Sequence, residues 1–239
     1  MISIIVPTRN EEKIIERTLS SLKNKLTIPH ELIVSDGNST DATVSIAQKY
    51  ADKIIVQDKA RPKTIGTGRN QGSESANGEY IVFLDADCSI PNPDDFFTKA
   101  LDYFEKHPKT VGLCARIKVL KEHSTVLDKI VFACVNITYT FFNNVIGVGA
   151  CSGEFMMIRK TAFQKVGGFK EHLVVAEDLN LFYTVSRVGR THLLRSLVVF
   201  HTGRRAHRVG WPLLLWEWFT NTLSLIFRHK SPKEWEVIR

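Results

Sequence analysis

Four mainly apolar runs of strand length, separated by helical patterns, constrain the fold of this sequence more than any other feature. The runs occupy residues 2–6, 31–35, 53–57 and 80–84, and helical patterns fill residues 11–22, 40–47 and 69–76. Strands that are apolar on both faces belong in a parallel sheet covered by helices on both sides. We therefore predict an α/β fold with a mostly parallel central sheet flanked by helices.

The second half of the chain is less regular. Strand patterns span residues 111–120, 155–158 and 193–200, a helical pattern spans 179–188, and residues 126–148 form an aromatic-rich amphipathic segment. No internal repeat, low-complexity tract or linker interrupts the sequence. We therefore predict one domain over residues 1–200, followed by a basic, Trp-rich segment over residues 201–239.

Polar residues follow three of the predicted strands, at residues 8–11, 36–38 and 85–87. Ligands of parallel sheets bind at the carboxyl ends of the strands, so these residues are candidates for a site. Asp85 and Asp87 are two residues apart and face the same way in an extended chain. Two such carboxylates suit Mn²⁺ or Mg²⁺ shared with phosphate oxygens. The alternative is a surface aspartate pair that begins a turn before Pro91.

Four sequence blocks in a fixed order resemble the family-2 glycosyltransferases with the GT-A fold. They are IIVPTRNE (4–11), VSDGNSTD (34–41), GRNQG with NGEYIVFLDAD (68–72 and 77–87), and GEFMMIR with VGGF and AED (153–159, 166–169 and 176–178). The resemblance covers about residues 2–190. It implies a Rossmann-like GT-A domain in which residues 1–110 bind a nucleotide sugar and residues 111–200 bind the acceptor.

The resemblance also implies a nucleoside-diphosphate sugar donor, such as a UDP- or GDP-sugar. The residues expected to bind it are Pro7, Thr8, Arg9, Glu11, Asp36, Arg69, Asp85, Ala86 and Asp87. Asp36 would accept a hydrogen bond from the base or ribose, the alternative being a simple turn. Arg9 occupies a position that is often aromatic in the family, so the choice of nucleotide stays open. Arg69 would approach the phosphates, the alternative being a solvated helix face.

Glu177 and Asp178 form a second carboxylate pair, which the resemblance places in the catalytic centre. Asp178 would be the general base of an inverting transfer, and the dipole of the helix that it opens would favour its ionised form. The alternative is a capping aspartate. Arg204 and Arg205 would lie over the diphosphate. The alternative is that they form a basic surface loop. The QxxRW motif of processive relatives is absent from the sequence, which favours a single transfer.

The chain carries a net charge of +7, and seven Lys and Arg residues face three Glu residues from position 201 onward. Residues 211–227 are rich in Trp and Leu between basic flanks, a composition typical of an amphipathic helix lying in a membrane interface. With residues 126–148 they suggest a membrane surface and a lipid-linked acceptor, such as a polyprenyl phosphate or glycolipid, although a saccharide acceptor stays open. The alternative is that both segments are core helices of a soluble enzyme.

The four cysteines show no CxxC spacing, and the N-terminal residues begin a strand without a basic leader. We expect reduced thiols in a cytoplasmic protein, peripheral on the cytoplasmic face of the membrane. A sugar-1-phosphate nucleotidyltransferase would normally have a glycine-rich loop after the first strand, where PTRNEE has no glycine. A basic membrane-peripheral or nucleic-acid-binding module without catalysis would not explain the two acidic pairs, and nucleic acid is not an expected partner.

Overall fold

An eight-stranded sheet forms the centre of the computed structural model, which describes the backbone of residues 1–228 and the side chains of residues 1–221. The strands are β1 (Ile2–Thr8), β2 (His30–Asp36), β3 (Lys53–Val56), β4 (Tyr80–Leu84), β5 (Cys88–Ser89), β6 (Thr110–Val119), β7 (Phe155–Arg159) and β8 (Arg190–His201). Their order in the sheet is β3-β2-β1-β4-β7-β6-β8-β5. Four of the seven pairings are parallel, and the other three involve β7 or β5. The predicted α/β class and mostly parallel sheet are confirmed.

Helices cover both faces of this sheet. They are α1 (Ile15–Lys25), α2 (Thr43–Ala47), α3 (Ile65–Glu74), α4 (Pro93–Lys106), α5 (Val126–Thr140), α6 (Lys160–Val166), α7 (Glu177–Ser186), α8 (Arg204–Val209) and α9 (Trp211–Arg228). A π-helical segment, Phe141–Ile146, continues α5. Ile4 and Val6 of β1 lie in one apolar cluster with Phe97, whereas Ile5 lies in a second cluster with Phe163. The apolar strands are therefore buried on both faces, as their composition predicts.

Several predicted boundaries differ from the structure. Helix α1 begins at Ile15 rather than at residue 11, because residues 12–14 form turns after Asn10, which has a left-handed backbone with φ 54°. The N-cap of α2 is Ala42 rather than Thr40 or Asp41. Asp41 nevertheless contacts that helix, since its carboxylate accepts a 3.0 Å hydrogen bond from the backbone N–H of Thr43.

Helix α7 begins two residues earlier than its apolar pattern indicated. Ala176 precedes it in a left-handed conformation with φ 57°, and Glu177 and Asp178 form its first turn. Asp178 therefore lies inside the helix, and the alternative interpretation of Asp178 as the N-cap residue is wrong. Its carboxylate accepts a 2.6 Å hydrogen bond from the backbone N–H of Leu179.

Helices α8 and α9 are held against α5 by one buried carboxylate. Asp128 accepts a 2.7 Å hydrogen bond from Nε1 of Trp211 and lies 2.9 Å from Nε2 of His207. Phe132 packs edge-on against Trp211 in the same apolar cluster. The segment predicted to begin at residue 201 thus docks on the domain over its described part, while residues 229–239 lie outside the described residues.

Helix α5 and its π-helical continuation present much apolar surface. Within residues 1–228, the stretch Val126–Ile146 is the one that is long and apolar enough to cross a bilayer by length and composition, with a mean hydropathy of 1.2. Its outward-facing apolar residues include Val126, Ile130, Ile137, Phe141, Val145 and Ile146. Such a contiguous patch is unusual on a monomeric soluble domain and indicates an interaction surface.

Candidate active site

The carboxyl ends of β1 and β2 bring the first two polar blocks together. Thr8 is paired with Asp36 in the parallel register, and its hydroxyl lies 3.5 Å from the Asp36 carboxylate. Asp36 is buried and also accepts a 2.9 Å hydrogen bond from the backbone N–H of Ser39. The turn proposed as an alternative for Asp36 is therefore present. It leaves further lone pairs on the carboxylate for a ligand.

Two left-handed asparagines shape the backbone beside Asp36. Asn10 has φ 54° and Asn38 has φ 63°, and asparagine tolerates this conformation better than most residues. The Asn10 side chain accepts a 2.8 Å hydrogen bond from the backbone N–H of Thr40, while the Asn38 amide donates to the carbonyl of Gln57 at 3.0 Å. These bonds hold the two loops in fixed positions at the edge of the sheet.

Pro7 and Arg9 lie on either side of Thr8. Pro7 is buried within β1, whereas Arg9 is exposed at the start of the loop. A Cβ placed on Gly37 would lie 3.3 Å from the Cβ of Arg9, so the two loops are in close contact here. Of Pro7, Thr8 and Arg9, it is therefore Arg9 whose side chain is accessible to a ligand.

Asp87 is held by the segment that follows β8. It accepts a 2.7 Å hydrogen bond from the hydroxyl of Thr202 and lies 3.3 Å from Nε of Arg204. The intervening Ala86 is buried, and its carbonyl accepts a 2.7 Å hydrogen bond from Thr18 of α1. The turn after β4 is thus fixed from both sides.

Arg69 links the two acidic pairs. Its guanidinium donates 2.8 Å hydrogen bonds to Asp85 through Nη2 and to Glu177 through Nη1, and it lies 5.3 Å from the ring centroid of Phe169. The side chain is only 1% exposed, so the solvated alternative for Arg69 is wrong. In this arrangement Arg69 positions two carboxylates. Its expected contact with the donor phosphates stays a prediction.

The pKa values of the three carboxylates around Arg69 are raised. Burial and the neighbouring Asp178 raise the pKa of Glu177 to about 8, and burial raises the pKa of Asp85 to about 7, against the opposing effect of Arg69. Burial also raises the pKa of Asp178, although Arg69 and the backbone N–H of Leu179 act in the other direction. The backbone at the start of the helix thus favours the ionised form, as expected, but burial has the larger effect on the pKa of Asp178. A raised pKa makes Asp178 a stronger base.

Arg204 and Arg205 point to different partners. Arg204 binds the buried carboxylate of Glu11 with Nη1 at 2.8 Å and Nη2 at 2.7 Å, a bidentate geometry. Nη2 of Arg205 instead lies 3.3 Å from a carboxylate oxygen of Glu217 on α9. The structure thus brings Arg204 to the predicted site and directs Arg205 towards the C-terminal helix.

The donor set at the turn after β4 fits a hard divalent cation. The described residues contain no group of three or more His, Cys, Asp or Glu side chains arranged around one metal position. Mg²⁺ and similar ions need only one or two carboxylates when phosphate oxygens and water complete the shell. Asp87 makes its contacts with Thr202 and Arg204 through Oδ2, which leaves Oδ1 for a cation, and Asp85 keeps its Oδ2 outside the hydrogen bond with Arg69.

Three further residues near the site were not singled out from the sequence. Thr202 binds Asp87, the carbonyl of Gly153 accepts a 3.2 Å hydrogen bond from Arg69, and the negative charge of Glu154 raises the pKa of Asp178. Gly153 and Glu154 belong to one of the sequence blocks, so a signal for them was present. Thr202 was marked by its place after the last strand, at the start of the segment that carries Arg204 and Arg205.

A family model described as "Glycosyl transferase family 2" matches residues 3–167. Among sequence relatives, the O-antigen chain rhamnosyltransferase RfbN of Salmonella typhimurium is 25% identical over 204 residues, which is 79% of this chain and 62% of that protein. The GalNAc(5)-diNAcBac-PP-undecaprenol beta-1,3-glucosyltransferase of Campylobacter jejuni is 38% identical over 93 residues, which is 37% of this chain and 30% of that protein.

Among solved structures, the mannosyltransferase PcManGT from Pyrobaculum calidifontis in complex with GDP-Man and Mn²⁺ superposes with a TM-score of 0.66 at 21% identity. The match covers 84% of this chain and 56% of the mannosyltransferase chain. It shows that the two chains share a fold. The family match over more than half of its length places the chain in glycosyltransferase family 2. The chain spans less than two thirds of the length of each of these relatives.

Proposed function

We propose that the chain transfers a sugar from a nucleoside-diphosphate sugar to an acceptor by an inverting displacement. The observation that carries the proposal is the bridge made by Arg69, because its bonds to Asp85 and Glu177 bring the two acidic pairs to one place beside the end of β4. One pair suits a metal that binds phosphate, and the other suits a base. Membership of family 2 also argues against a nucleotidyltransferase.

The donor would bind along the ends of β1, β2 and β4. Asp36 would accept a hydrogen bond from the nucleoside, and the exposed Arg9 would stack on its base. Mn²⁺ or Mg²⁺ would be held by Asp87 and Asp85 and would supply charge neutralisation for the departing diphosphate. Arg204, which lies 3.3 Å from Asp87, would add a second positive charge near the same phosphates. These cations stabilise the leaving group without a proton donor.

Asp178 would take the proton from the acceptor hydroxyl as that oxygen attacks the anomeric carbon. Its raised pKa brings its basicity closer to neutral pH. Where the acceptor is already an ionised phosphate, Asp178 would orient it instead. One base and no second nucleophile imply inversion, which proton NMR of the product tests directly. A product that retains the anomeric configuration of the donor would contradict the mechanism.

The acceptor is proposed to be lipid-linked, and the protein to work at the cytoplasmic face of a membrane. Support comes from the exposed apolar faces of α5 and α9, where Ile137, Val145 and Trp216 are more than half exposed. Support also comes from the Campylobacter relative, whose name includes a PP-undecaprenol. The basic residues beside these helices suit anionic headgroups.

The first test is thermal stabilisation of the purified chain by UDP, GDP and other nucleoside diphosphates, with and without Mn²⁺. A ligand at one hundred times its Kd stabilises the native state by about 2.7 kcal/mol, so a metal-dependent shift for one nucleotide would identify the base. The shift should vanish in Asp87→Asn and persist in Asp102→Asn, which changes an exposed aspartate of α4. Absence of any shift would remove the basis for the donor site.

Transfer itself is tested with Asp178→Asn, which keeps the size of the side chain. We expect donor binding to survive and product formation to fall by at least one hundredfold, the contribution typical of general base catalysis. Because an ionised phosphate has no proton to lose, the test uses a hydroxyl acceptor. Unchanged turnover in this variant would exclude Asp178 as the base.

A further inference from the structure

A groove of about 1000 Å³ runs between α5 with its π-helical continuation and the last residues of β6 and β8. It reaches Phe200, two residues before Thr202, whose hydroxyl binds Asp87. One end of the groove is therefore close to the edge of the sheet that carries the proposed site. Neither the donor nor the metal proposed above would occupy it.

The groove is strongly cationic. The basic residues that line it are Arg116, Lys118, Lys121, Lys129 and Arg195. Its one acidic lining residue in the described part of the chain is Asp128, whose side chain is 1% exposed and already bound to His207, Trp211 and the Thr125 backbone. The charge available to an occupant is therefore positive, and it favours an anion.

Arg116 gives this charge a specific position. Its side chain is half-buried and lines the groove. A guanidinium binds phosphate oxygens through two parallel N–H donors, so a phosphate ester in the groove would suit it. Lys118 follows two residues later on the same face of β6 and lines the same groove.

The opposite wall of the groove is apolar. Ile137, Phe141 and Val145 lie four residues apart and form one stripe along the helix. All three are exposed, Ile137 at 69% and Val145 at 70%. Eight residues of helix extend this stripe over about 12 Å. Its length and chemistry suit a hydrocarbon chain lying along the helix.

From this juxtaposition we infer that the groove binds one lipid phosphate, with its phosphate on Arg116 and Lys118 and its chain along Ile137, Phe141 and Val145. The inference rests on the proposed glycosyl transfer, for which it locates the acceptor. A single extracted lipid is favoured over a flat bilayer surface, because the basic residues and the apolar stripe line one and the same groove of about 1000 Å³.

The test is calorimetric titration of the full chain with farnesyl phosphate below its micelle concentration, without donor or metal. Farnesol and inorganic phosphate are titrated separately, because farnesol has the hydrocarbon chain without the phosphate and inorganic phosphate has the anion without the hydrocarbon chain. We expect farnesyl phosphate to bind at least tenfold more tightly than either. Arg116→Gln and Lys118→Gln should each weaken this binding about tenfold, and Ile137→Glu should weaken both farnesyl phosphate and farnesol.

The matched control is Arg17→Gln, which removes an arginine of α1 that pairs with exposed Glu122 outside this groove. It should leave binding unchanged. Because Lys118 and Ile137 are exposed, their variants test the site even if Arg116→Gln fails to fold. Equal affinity for farnesol and farnesyl phosphate, or no loss in the Lys118 and Ile137 variants, would overturn the inference. So would binding to anionic vesicles without binding of monomeric farnesyl phosphate.

The two proposals can fail separately. Sugar transfer to a water-soluble acceptor, with no farnesyl phosphate binding, would keep the glycosyltransferase and remove the lipid site. Farnesyl phosphate binding that depends on Arg116, with no nucleotide bound and no transfer, would keep the lipid site and remove the proposed activity.

Discussion

Nη1 of Arg69 donates a 2.8 Å hydrogen bond to Oε1 of Glu177, 108 residues further along the chain. Both side chains are buried, and Nη2 of the same guanidinium binds Asp85. One arginine therefore compensates two carboxylates from different elements, the end of β4 and the start of α7. The geometry of the proposed metal site and that of the proposed base depend on the same side chain.

Replacement of Arg69 by methionine should destabilise the protein by about 3–5 kcal/mol, because it leaves buried carboxylates without their counter-charge. Urea unfolding followed by circular dichroism measures the loss. The control is Arg17→Met, which removes an exposed ion pair with Glu122 and should change stability by less than about 1 kcal/mol. Equal losses in the two variants would show that the buried pairing contributes no more than a surface pair.

Glu31 should make stability depend on acid pH. Despite its burial, hydrogen bonds from Lys53, Ser3 and the backbone of Asn77 lower the pKa of Glu31 to about 2 from its ordinary value of 4.5. A carboxyl with a lowered folded-state pKa stabilises the native state above its unfolded pKa, and that stability is lost as the pH falls from about 4.5 through about 2. The shift corresponds to roughly 3 kcal/mol.

We therefore expect Glu31→Gln to be less stable than the wild type at pH 7, and the difference to shrink between pH 4.5 and pH 2. Denaturant unfolding at several pH values in this window gives the curve. Glu105→Gln, at an exposed position of α4, should follow the wild-type curve throughout. A constant difference between Glu31→Gln and the wild type across the window would refute the assignment.

Arg204→Lys should weaken the connection between α8 and Glu11. Lysine keeps the charge but cannot make the two hydrogen bonds that the guanidinium makes at 2.8 and 2.7 Å. We expect a loss of about 1–3 kcal/mol in stability and at least tenfold weaker nucleoside-diphosphate binding in a fluorescence titration. Arg187→Lys, on an exposed position after α7, is the control and should change neither quantity.

Gly149 permits the chain after α5 to approach α7. A Cβ at this position would lie only 2.0 Å from the backbone oxygen of Phe182, so alanine would force the two segments apart. We expect Gly149→Ala to destabilise the protein by about 3 kcal/mol or more and to displace the helix that begins with Glu177 and Asp178. Gly147→Ala is the comparison, because its φ is +78° but nothing lies within 4 Å of the added atom.

Backbone strain alone should make Gly147→Ala unfavourable by about 1–2 kcal/mol. Urea unfolding measures the loss in free energy of unfolding for each variant. The ratio of the two losses separates the effect of the close contact with Phe182 from that of backbone strain. Equal losses would mean that α7 moves aside without resistance.

The elements that sequence patterns predict well are those whose signal is local. β4 was predicted at residues 80–84 and is found at Tyr80–Leu84, because a strand buried on both faces is apolar at every position. Helix α4 was missed although Asn92 caps it and Pro93 begins it, both common at helix starts. That signal was available in the sequence.

The burial of Arg69 could not be predicted in the same way. A short GRNQG block identifies a helix but does not indicate that its arginine points inward to carboxylates from other elements. The same holds for Thr202 and for the separate directions of Arg204 and Arg205. Charges inside a protein are stabilised by partners that tertiary structure supplies, and those partners leave no local pattern in the sequence.

The contact between Glu11 and Arg204 also limits how early this part of the structure can form while the chain is being synthesised. The two residues are separated by 193 positions, so the buried carboxylate of Glu11 emerges from the ribosome long before its guanidinium partner. At typical elongation rates that delay is roughly 10–40 s. The first strands can pair in that time, but the proposed nucleotide pocket stays incomplete until α8 has been made. A ribosome that stalls before residue 204 would therefore leave the loop after β1 without the contact that ties it to α8.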